Sequence, residues 1–254
     1  MMYPLSIAAI TLIVTFGGAL AGASLRKELP DHHFTAESKE VMKLVLGLLS
    51  TMAALVLGLL LASAQSSYST QSTNLQSMAA NVLEIDRILG MYGAEAKDAR
   101  ALFKSIVATM HDSVWSAHHV QVDKLNPIRI EHQTRKYLDA VQGLEPRTQA
   151  QRFAQSQAIQ LSANVGQTRL LMFERSNSTL PRPFLVILLA WVCMLFIGFG
   201  LLTSLHHTVT VVLFVGALSV SSTLFLILEL GSPYNGLIQV SDTPLVEAIV
   251  QLGQ

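Results

Sequence analysis

Apolar and polar residues follow one another along the chain in long blocks, and four apolar blocks carry no Asp, Glu, Lys or Arg over about 20 residues. A helix of that length crosses a hydrocarbon core of roughly 30 Å. Because every backbone amide in lipid must be paired within its own segment, we predict four transmembrane helices. They cover residues 5–25, 44–64, 184–204 and 208–228. We reject buried core helices of a soluble protein, since the remaining residues form one polar block and not a covering shell.

The first apolar run ends in "ALAGA" (residues 19–23), which resembles a signal-peptidase site. The leader "MMYP" carries no Lys or Arg, however, and the run is long for the apolar region of a signal peptide. We therefore expect this segment to be retained as a membrane helix.

The polar block between Ser66 and Arg182 is strongly periodic. From Leu75 onward its apolar positions alternate steps of three and four, the period of about 3.5 that a coiled-coil seam requires. They are Leu75, Met78, Val82, Ile85, Leu89, Tyr92, Ala96, Ala99, Phe103, Ile106 and Met110. Gly90 and Gly93 interrupt the pattern without shifting its register. We predict that the second membrane helix continues out of the bilayer as one long amphipathic rod.

Prolines divide the rest of the polar block. Asn126-Pro127 predicts a helix start, because asparagine is a good N-cap and proline suits the first turn. That helix should run to about Gly143, and Glu145-Pro146 should open another that continues toward Arg175. The apolar residues of this last helix are Phe153, Leu161, Val165 and Leu171.

The predicted fold is an all-α membrane protein with four transmembrane helices and a long helical extramembrane bundle between the second and third. The expected domains are a first transmembrane helix pair (1–66), the helical extramembrane domain (67–182), a second transmembrane pair (183–230) and a C-terminal segment (231–254). In that last segment, Thr243-Pro244 predicts the start of a short helix over residues 244–252.

Composition argues against several classes of function. The 17 basic and 17 acidic side chains cancel, so no net positive charge favours nucleic acid. The single cysteine, Cys193, cannot form an intramolecular disulfide. No nucleophile motif supports a hydrolase, so we expect no enzyme and no cofactor; an enzyme acting on lipid is a distant third hypothesis.

The best metal candidate is the segment "HDSVWSAHH", which holds His111, Asp112, His118 and His119. His111 and His118 lie seven residues apart, whereas one ion bound to a single helix needs a pair four residues apart. We therefore expect solvated histidines and no metal site. His32-His33 and His206-His207 fall in predicted connections on one membrane side, where a pH-sensitive gate is the alternative to ordinary interfacial histidines.

Two of the apolar runs carry small residues at helix-face spacing. Gly18 and Gly22 form a G-x-x-x-G step in the first run. In the second run the small residues are Gly47, Thr51, Ala54, Gly58 and Ala62. Because small side chains let helix backbones approach closely in lipid, these stripes favour helix–helix seams. The second stripe could instead line a pore, where small side chains leave room.

Glu229 ends the fourth apolar run, and a carboxylate there should avoid lipid. The segment that follows contains Asp242 and Glu247 but no Lys or Arg. In a ring of identical subunits, these three acids would form a negative collar that attracts cations at one mouth of a pore. The local alternative is that Glu229 caps backbone groups or pairs with Arg175 or Arg182.

Four motifs resemble a bacterial membrane family described as bestrophin-like. They are "GASLRKELPDHH" (22–33), "GLLLASAQSSYS" (58–69), "YGAEAKDARALFKSIV" (92–107) and "LELGSPYNGLIQVSDTPL" (228–245), of which the last is the most specific. The resemblance implies four membrane helices with a helical domain between the second and third. By analogy with true bestrophins it implies a ring-shaped oligomer, commonly pentameric, that conducts ions.

The resemblance thus leads to the hypothesis of an oligomeric ion channel of the bacterial inner membrane, with its middle domain in the cytoplasm. Its partners would be the lipid bilayer, further copies of the chain and inorganic ions, with no nucleic acid. The second helix would line the pore with Gly47, Thr51, Ala54, Leu55, Gly58 and Ala62. In place of the aromatic-rich neck of bestrophins, the nearest residues are Leu55, Val56 and Leu59. The alternative is a non-conducting membrane scaffold or sensor whose helical domain recruits a protein partner.

Overall fold

A computed structural model describes residues 4–30, 34–115, 127–176, 182–203, 206–232, 234 and 236–253. Within these ranges the chain forms helices and no strand. The helices are α1 (Pro4–Glu28), α2 (Ala36–Tyr92), α3 (Lys97–Trp115), α4 (Pro127–Gln142), α5 (Gln149–Ser176), α6 (Arg182–Leu202), α7 (His207–Leu230) and α8 (Thr243–Gln251). Four of them, α1, α2, α6 and α7, are long and apolar enough to cross a membrane, which confirms the four predicted spans.

The chain divides into two compact units. The membrane unit comprises Met1–Tyr68 and Thr179–Ile238, and the extramembrane unit comprises Ser69–Ser178 and Gln239–Gln254. The long helix α2 belongs to both, since it continues through residue 68 to Tyr92. Residues 239–254 therefore fold with the extramembrane helices, whereas the sequence treated the C-terminal segment as separate.

In the membrane unit, α1 packs against α6 and α7. A Cβ atom on Gly22 would overlap the backbone of Ile197, and one on Gly200 would overlap the backbone of Ala19. Only glycine allows this approach, so the predicted G-x-x-x-G seam is confirmed. The hydroxyl of Ser221 also donates to the carbonyl oxygen of Ala8, at 2.6 Å. The first helix thus forms part of the packing of the membrane unit.

In the extramembrane unit, the apolar periodicity is confirmed, and α2 does continue beyond its membrane span as one long helix, but it does not run on to Met110 as predicted. All eleven predicted seam positions, from Leu75 to Met110, are buried. The helix nevertheless ends at Tyr92, where Gly93 adopts a φ of 124° that side chains rarely allow, and a 3-10 turn follows over Ala94–Ala96. The chain reverses there, so the seam lies between two helices of one hairpin.

The helices after the hairpin follow the proline signals in part. Helix α4 begins at Pro127 and ends at Gln142, as predicted, while Asn126 lies outside the described residues. Helix α5 begins later than Glu145-Pro146 predicted, because Thr148 and Gln151 form the start of the helix. Gln151 accepts hydrogen bonds from the N–H groups of residues 147 and 148, and its own N–H donates to Thr148 Oγ1 at 3.1 Å. This is a capping box.

Side chains from three helices meet in the core of the extramembrane unit. The ring of Phe103 on α3 lies 5.2 Å from the ring of Tyr137 on α4. The hydroxyl of Tyr137 is in turn 2.9 Å from that of Ser162 on α5. Of the apolar residues predicted on α5, Val165 is buried, but Phe153 and Leu171 are exposed.

Candidate functional site

Helix α2 uses only one side to pack within the membrane unit. Leu46 and Ala53 are buried in a cluster with Leu195 of α6. Further along, Ala64 is buried with Leu188 of α6 and Leu224 of α7. These positions recur at helical spacing, so they form one face. Among the residues that the structure describes, no other part of the membrane unit buries the opposite side of α2.

The small-residue stripe lies on the uncovered side of α2. Its five residues, Gly47, Thr51, Ala54, Gly58 and Ala62, are all exposed, and so is Leu55, the sixth residue predicted to line the pore. A Cβ atom built on Gly47 or Gly58 would meet no other atom within 4 Å. Within the described residues, no other helix of the same chain covers these two glycines, so a seam or a pore at this stripe would need another copy of the chain. Its small side chains face outward from the subunit.

A second exposed stripe runs beside the small one. At about 100° of rotation per residue, large aliphatic side chains lie beside the small ones on the same uncovered side of α2, which we call the open face. They are Val41, Leu44, Val45, Leu48, Met52, Leu55 and Leu59. Leu55 and Leu59 are 74% and 72% exposed, whereas Val56 packs into the internal core. Two of the three residues that we compared with the hydrophobic neck of bestrophins, Leu55 and Leu59, therefore lie on the open face.

Glu229 is buried at the end of α7, with 1% of its surface exposed. Its carboxylate accepts a hydrogen bond from the backbone N–H of Leu237, and another from that of Ile238 at 3.0 Å. A Cβ atom on Gly236 would overlap the same carboxylate, which explains the glycine there. These contacts correspond to the local role that the sequence left as an alternative, in which Glu229 caps backbone groups. The side chains of Arg175 and Arg182, the other predicted partners, lie outside the part of the chain that the structure describes.

The other two predicted acids belong to the extramembrane unit. Asp242 precedes α8, and its Oδ2 lies 2.9 Å from Nε2 of His111 on α3. Glu247 is exposed on α8. The structure thus brings Asp242 to a histidine and leaves Glu247 in solvent, while Glu229 belongs to the membrane unit.

The histidine segment holds no metal site among the residues that the structure describes. There, no group of three or more His, Cys, Asp and Glu side chains could bind one ion. His111 is paired with Asp242, and its ring stacks on Trp115 with centroids 5.5 Å apart. His118, His119, His32 and His33 lie outside the described residues. His206 and His207 are exposed at the start of α7.

The sequence missed one charged cluster, in the α2–α3 hairpin. Asp86 is buried and accepts hydrogen bonds from Arg100 Nε at 2.9 Å and Nη2 at 2.6 Å. It also accepts one from the N–H of Gly253 at 3.1 Å, while Lys104 donates to the carbonyl oxygen of Leu252 at 2.6 Å. The only hint in the sequence was a charged residue beside the apolar seam on each side of Gly93.

The electrostatic balance at Asp86 favours the carboxylate. Burial by itself would raise the pKa of Asp86, but the hydrogen bonds from Arg100 and Gly253 and the charges of Arg100 and Lys104 outweigh it. The pKa of Asp86 is therefore held below its usual value. The same hydrogen bonding raises the pKa of Arg100, so both partners remain charged.

Four apolar helices, one of which continues into a helical bundle, define a multi-span all-α membrane protein. The family model described as Bestrophin-like domain matches residues 13–245, and the chain belongs to that family. The fold is similar to the crystal structure of a point mutant of a bacterial bestrophin homolog from Klebsiella pneumoniae, with a TM-score of 0.60 and 11% identity. That match covers 97% of this chain and 99% of the other. No curated protein sequence matches the chain.

Proposed function

We propose that the protein is an oligomeric ion channel of the bacterial inner membrane, in which the open face of α2 lines the pathway. The family and the fold support a channel-type function in general. The observation that carries the finer proposal is the low burial of α2. Only 11% of its most apolar 18-residue window is buried, against 28–33% for the other three spans.

An exposed apolar helix face could contact lipid alone, but the small-residue stripe argues for a pathway. A helix face that contacts only lipid can carry large aliphatic side chains. Contact with lipid therefore does not explain why glycines occupy the exposed positions 47 and 58. In a ring of copies, short side chains leave room for hydrated ions. The aliphatic stripe beside them would then face lipid and neighbouring copies.

The ring is proposed to be a pentamer by analogy, with the extramembrane unit in the cytoplasm. Lipid, other copies of the chain and inorganic ions are the proposed partners. Glu229 is not included in the pathway, because its carboxylate is buried and bonded to the backbone. Two other acids were predicted for the negative collar. Asp242 is paired with His111, and Glu247 is exposed.

Planar bilayer recordings on the purified protein test the proposal. We expect discrete single-channel steps, and we expect Gly58→Leu to reduce their amplitude because it adds bulk to the open face. Gly17→Leu is the matched control, since Gly17 is an exposed glycine on α1 with no atom within 4 Å of a built Cβ. Absence of steps, or equal effects of both substitutions, would remove the pathway along α2.

A second candidate function is a non-conducting scaffold or sensor that recruits a protein partner. The seam residues Phe103 and Ile106 are buried in the core and so are not available for partner contact. Two other apolar side chains of the extramembrane unit favour this candidate, because Met91 and Phe153 are 75% and 69% exposed. A partner that co-purifies with the native protein and is lost on Phe153→Asp would support it over conduction.

A further inference from the structure

The ring of His111 lies between two carboxylates in the extramembrane unit. Its Nε2 atom is 2.9 Å from Oδ2 of Asp242, which directly precedes α8. Its Nδ1 atom is 3.3 Å from Oδ1 of Asp112, the next residue on α3. An ionised carboxylate only accepts hydrogen bonds, and a neutral imidazole carries a proton on only one of its two nitrogens. Both contacts can therefore be hydrogen bonds only when His111 is protonated.

Asp242 directs its side chain away from its own helix. It occupies the N-cap position of α8, where an aspartate side chain ordinarily accepts a hydrogen bond from the first turn. Its carboxylate makes no such capping bond. Its backbone carbonyl oxygen accepts from the N–H groups of Leu245 and Val246, at 2.9 and 3.0 Å, and so fixes the residue at the start of α8. The carboxylate thus joins the C-terminal segment to α3 through His111.

Trp115, one turn further along α3, holds the same part of the C-terminal segment. Its Nε1 donates a hydrogen bond to the carbonyl oxygen of Val240 at 3.3 Å, and Val240 is buried. The indole ring also stacks on His111, with centroids 5.5 Å apart and ring planes 16° apart. Because an aromatic face attracts a cation, this stack favours the protonated ring as well.

The two aspartates are the charged groups that contact His111 in the part of the chain that the structure describes. Helices α4 and α8 also pack on α3. The acidic and basic side chains of residues 131–139 on α4 are exposed, as is Glu247 on α8, and none of them bonds to the ring. Lys104, about two turns earlier on α3, donates to the carbonyl oxygen of Leu252 at the other end of α8. Since aspartates and lysines ordinarily keep their charge between about pH 5 and 8, only His111 changes the charge of this contact over that range.

We propose that His111 and Asp242 form a proton-dependent latch, which holds the start of α8 on α3 when His111 is protonated and loosens when it is neutral. A charge-assisted hydrogen bond is about twice as strong as a neutral one. When the proton leaves as pH rises, the ring loses its attraction to both carboxylates and can donate to only one of them. The latch lies within the extramembrane unit and does not depend on conduction.

Hydrogen exchange of the full-length protein in detergent tests the latch. The amides of Leu245 and Val246 are bonded to the carbonyl oxygen of Asp242, so their exchange reports local opening at the start of α8. After correction for the intrinsic effect of pH, we expect opening to be about fivefold more frequent at about pH 8 than at about pH 5. Protection that does not change with pH would overturn the proposal.

Variants assign the pH dependence to the two residues. His111→Gln and Asp242→Asn should each remove it, with opening at both pH values close to that of the native protein at about pH 8. Agreement at this higher pH also shows that the variants are folded. His132→Gln is the matched control, because His132 is an exposed histidine on α4, and it should retain the native dependence. Dependence that persists in His111→Gln, or that is lost in His132→Gln, would overturn the assignment.

Fluorescence gives a second readout, at the ring itself. The chain has two tryptophans, so Trp115 is the only indole in a Trp191→Phe background. A protonated imidazole stacked on an indole quenches its emission, and we expect emission to rise with pH in one transition between about pH 5 and 8 that His111→Gln abolishes. Absence of this transition would overturn the protonation of His111. A transition without any change in hydrogen exchange would show that His111 titrates without holding α8, and would overturn the latch.

Discussion

The guanidinium of Arg100 donates two hydrogen bonds to the carboxylate of Asp86, although the two residues are 14 positions apart. In one continuous helix they would be separated by about 21 Å. The pair therefore defines the reversal of the chain at Gly93, where α2 ends and α3 turns back. Asp86 also binds the N–H of Gly253, so the same carboxylate holds the hairpin and the C-terminal segment.

Asp86→Asn should destabilise the extramembrane unit. The substitution leaves the guanidinium of Arg100, which is 26% exposed, without its counter-charge. We expect a loss of about 2 kcal/mol, which is less than for a fully buried pair and lowers the apparent melting temperature by about 4–8 °C. Glu84→Gln is the control, because Glu84 forms only an exposed pair with Arg87 at 3.7 Å and should change stability by less than about 0.5 kcal/mol. An equal loss of stability in the two variants would argue against the contact between Asp86 and Arg100.

The contribution of Asp86 should also depend on pH. Since the folded-state pKa of Asp86 is depressed, its stabilisation is fully present above the unfolded pKa of about 3.9 and is lost as pH falls through the lower folded value. The difference in melting temperature between the native protein and Asp86→Asn should therefore be constant near neutral pH and shrink below about pH 4. A difference that shrinks already between neutral pH and about pH 5 would contradict the depressed pKa.

Gly22→Ala should disturb the packing of the membrane helices. The added methyl group would overlap the backbone of Ile197, and backbone atoms cannot move aside as a flexible side chain can. We expect a loss of about 2 kcal/mol or more and a lower yield of folded protein in detergent. Gly17→Ala is the neighbouring control on α1, with free space around the new methyl group. If both variants were recovered equally well on gel filtration, the close α1–α6 contact would be wrong.

Glu229→Ala should reduce stability without changing ion selectivity. The N–H groups of Leu237 and Ile238 would lose their acceptor, at a cost of about 1–3 kcal/mol each. Glu229→Gln retains an oxygen acceptor and should lose less. The measurements are the apparent melting temperature and the reversal potential, with Glu247→Gln as a solvated control. A shifted reversal potential at unchanged stability would instead assign Glu229 to the pathway.

The sequence predicted the elements whose signals are periodic. Apolar runs identified the four spans, and the alternation of three and four identified eleven positions from Leu75 to Met110 that are all buried. The reversal at Gly93 was not predicted, because antiparallel helices bury the same stripe as a straight rod, so the apolar pattern is identical in both. The later start of α5 was missed although Thr148 and Gln151 are a readable capping box.

The candidate site was less predictable for a physical reason. A stripe of small residues such as Gly47 and Gly58 fits a helix seam and an open face equally well, and only the positions of the other helices distinguish the two. Glu229 posed the same difficulty. Its carboxylate accepts hydrogen bonds from backbone N–H groups of a loop, and a loop conformation produces no periodic pattern in the sequence.

Cysteine modification of α2 during bilayer recording tests the central claim most directly. In a Cys193→Ala background, Gly58→Cys places a thiol on the open face, and Ala53→Cys places one on the buried face against Leu195. We predict that a charged thiol reagent alters the single-channel current of Gly58→Cys and leaves that of Ala53→Cys unchanged. Current that persists unaltered in modified Gly58→Cys, or no channel current from the native protein, would contradict a pathway lined by this helix.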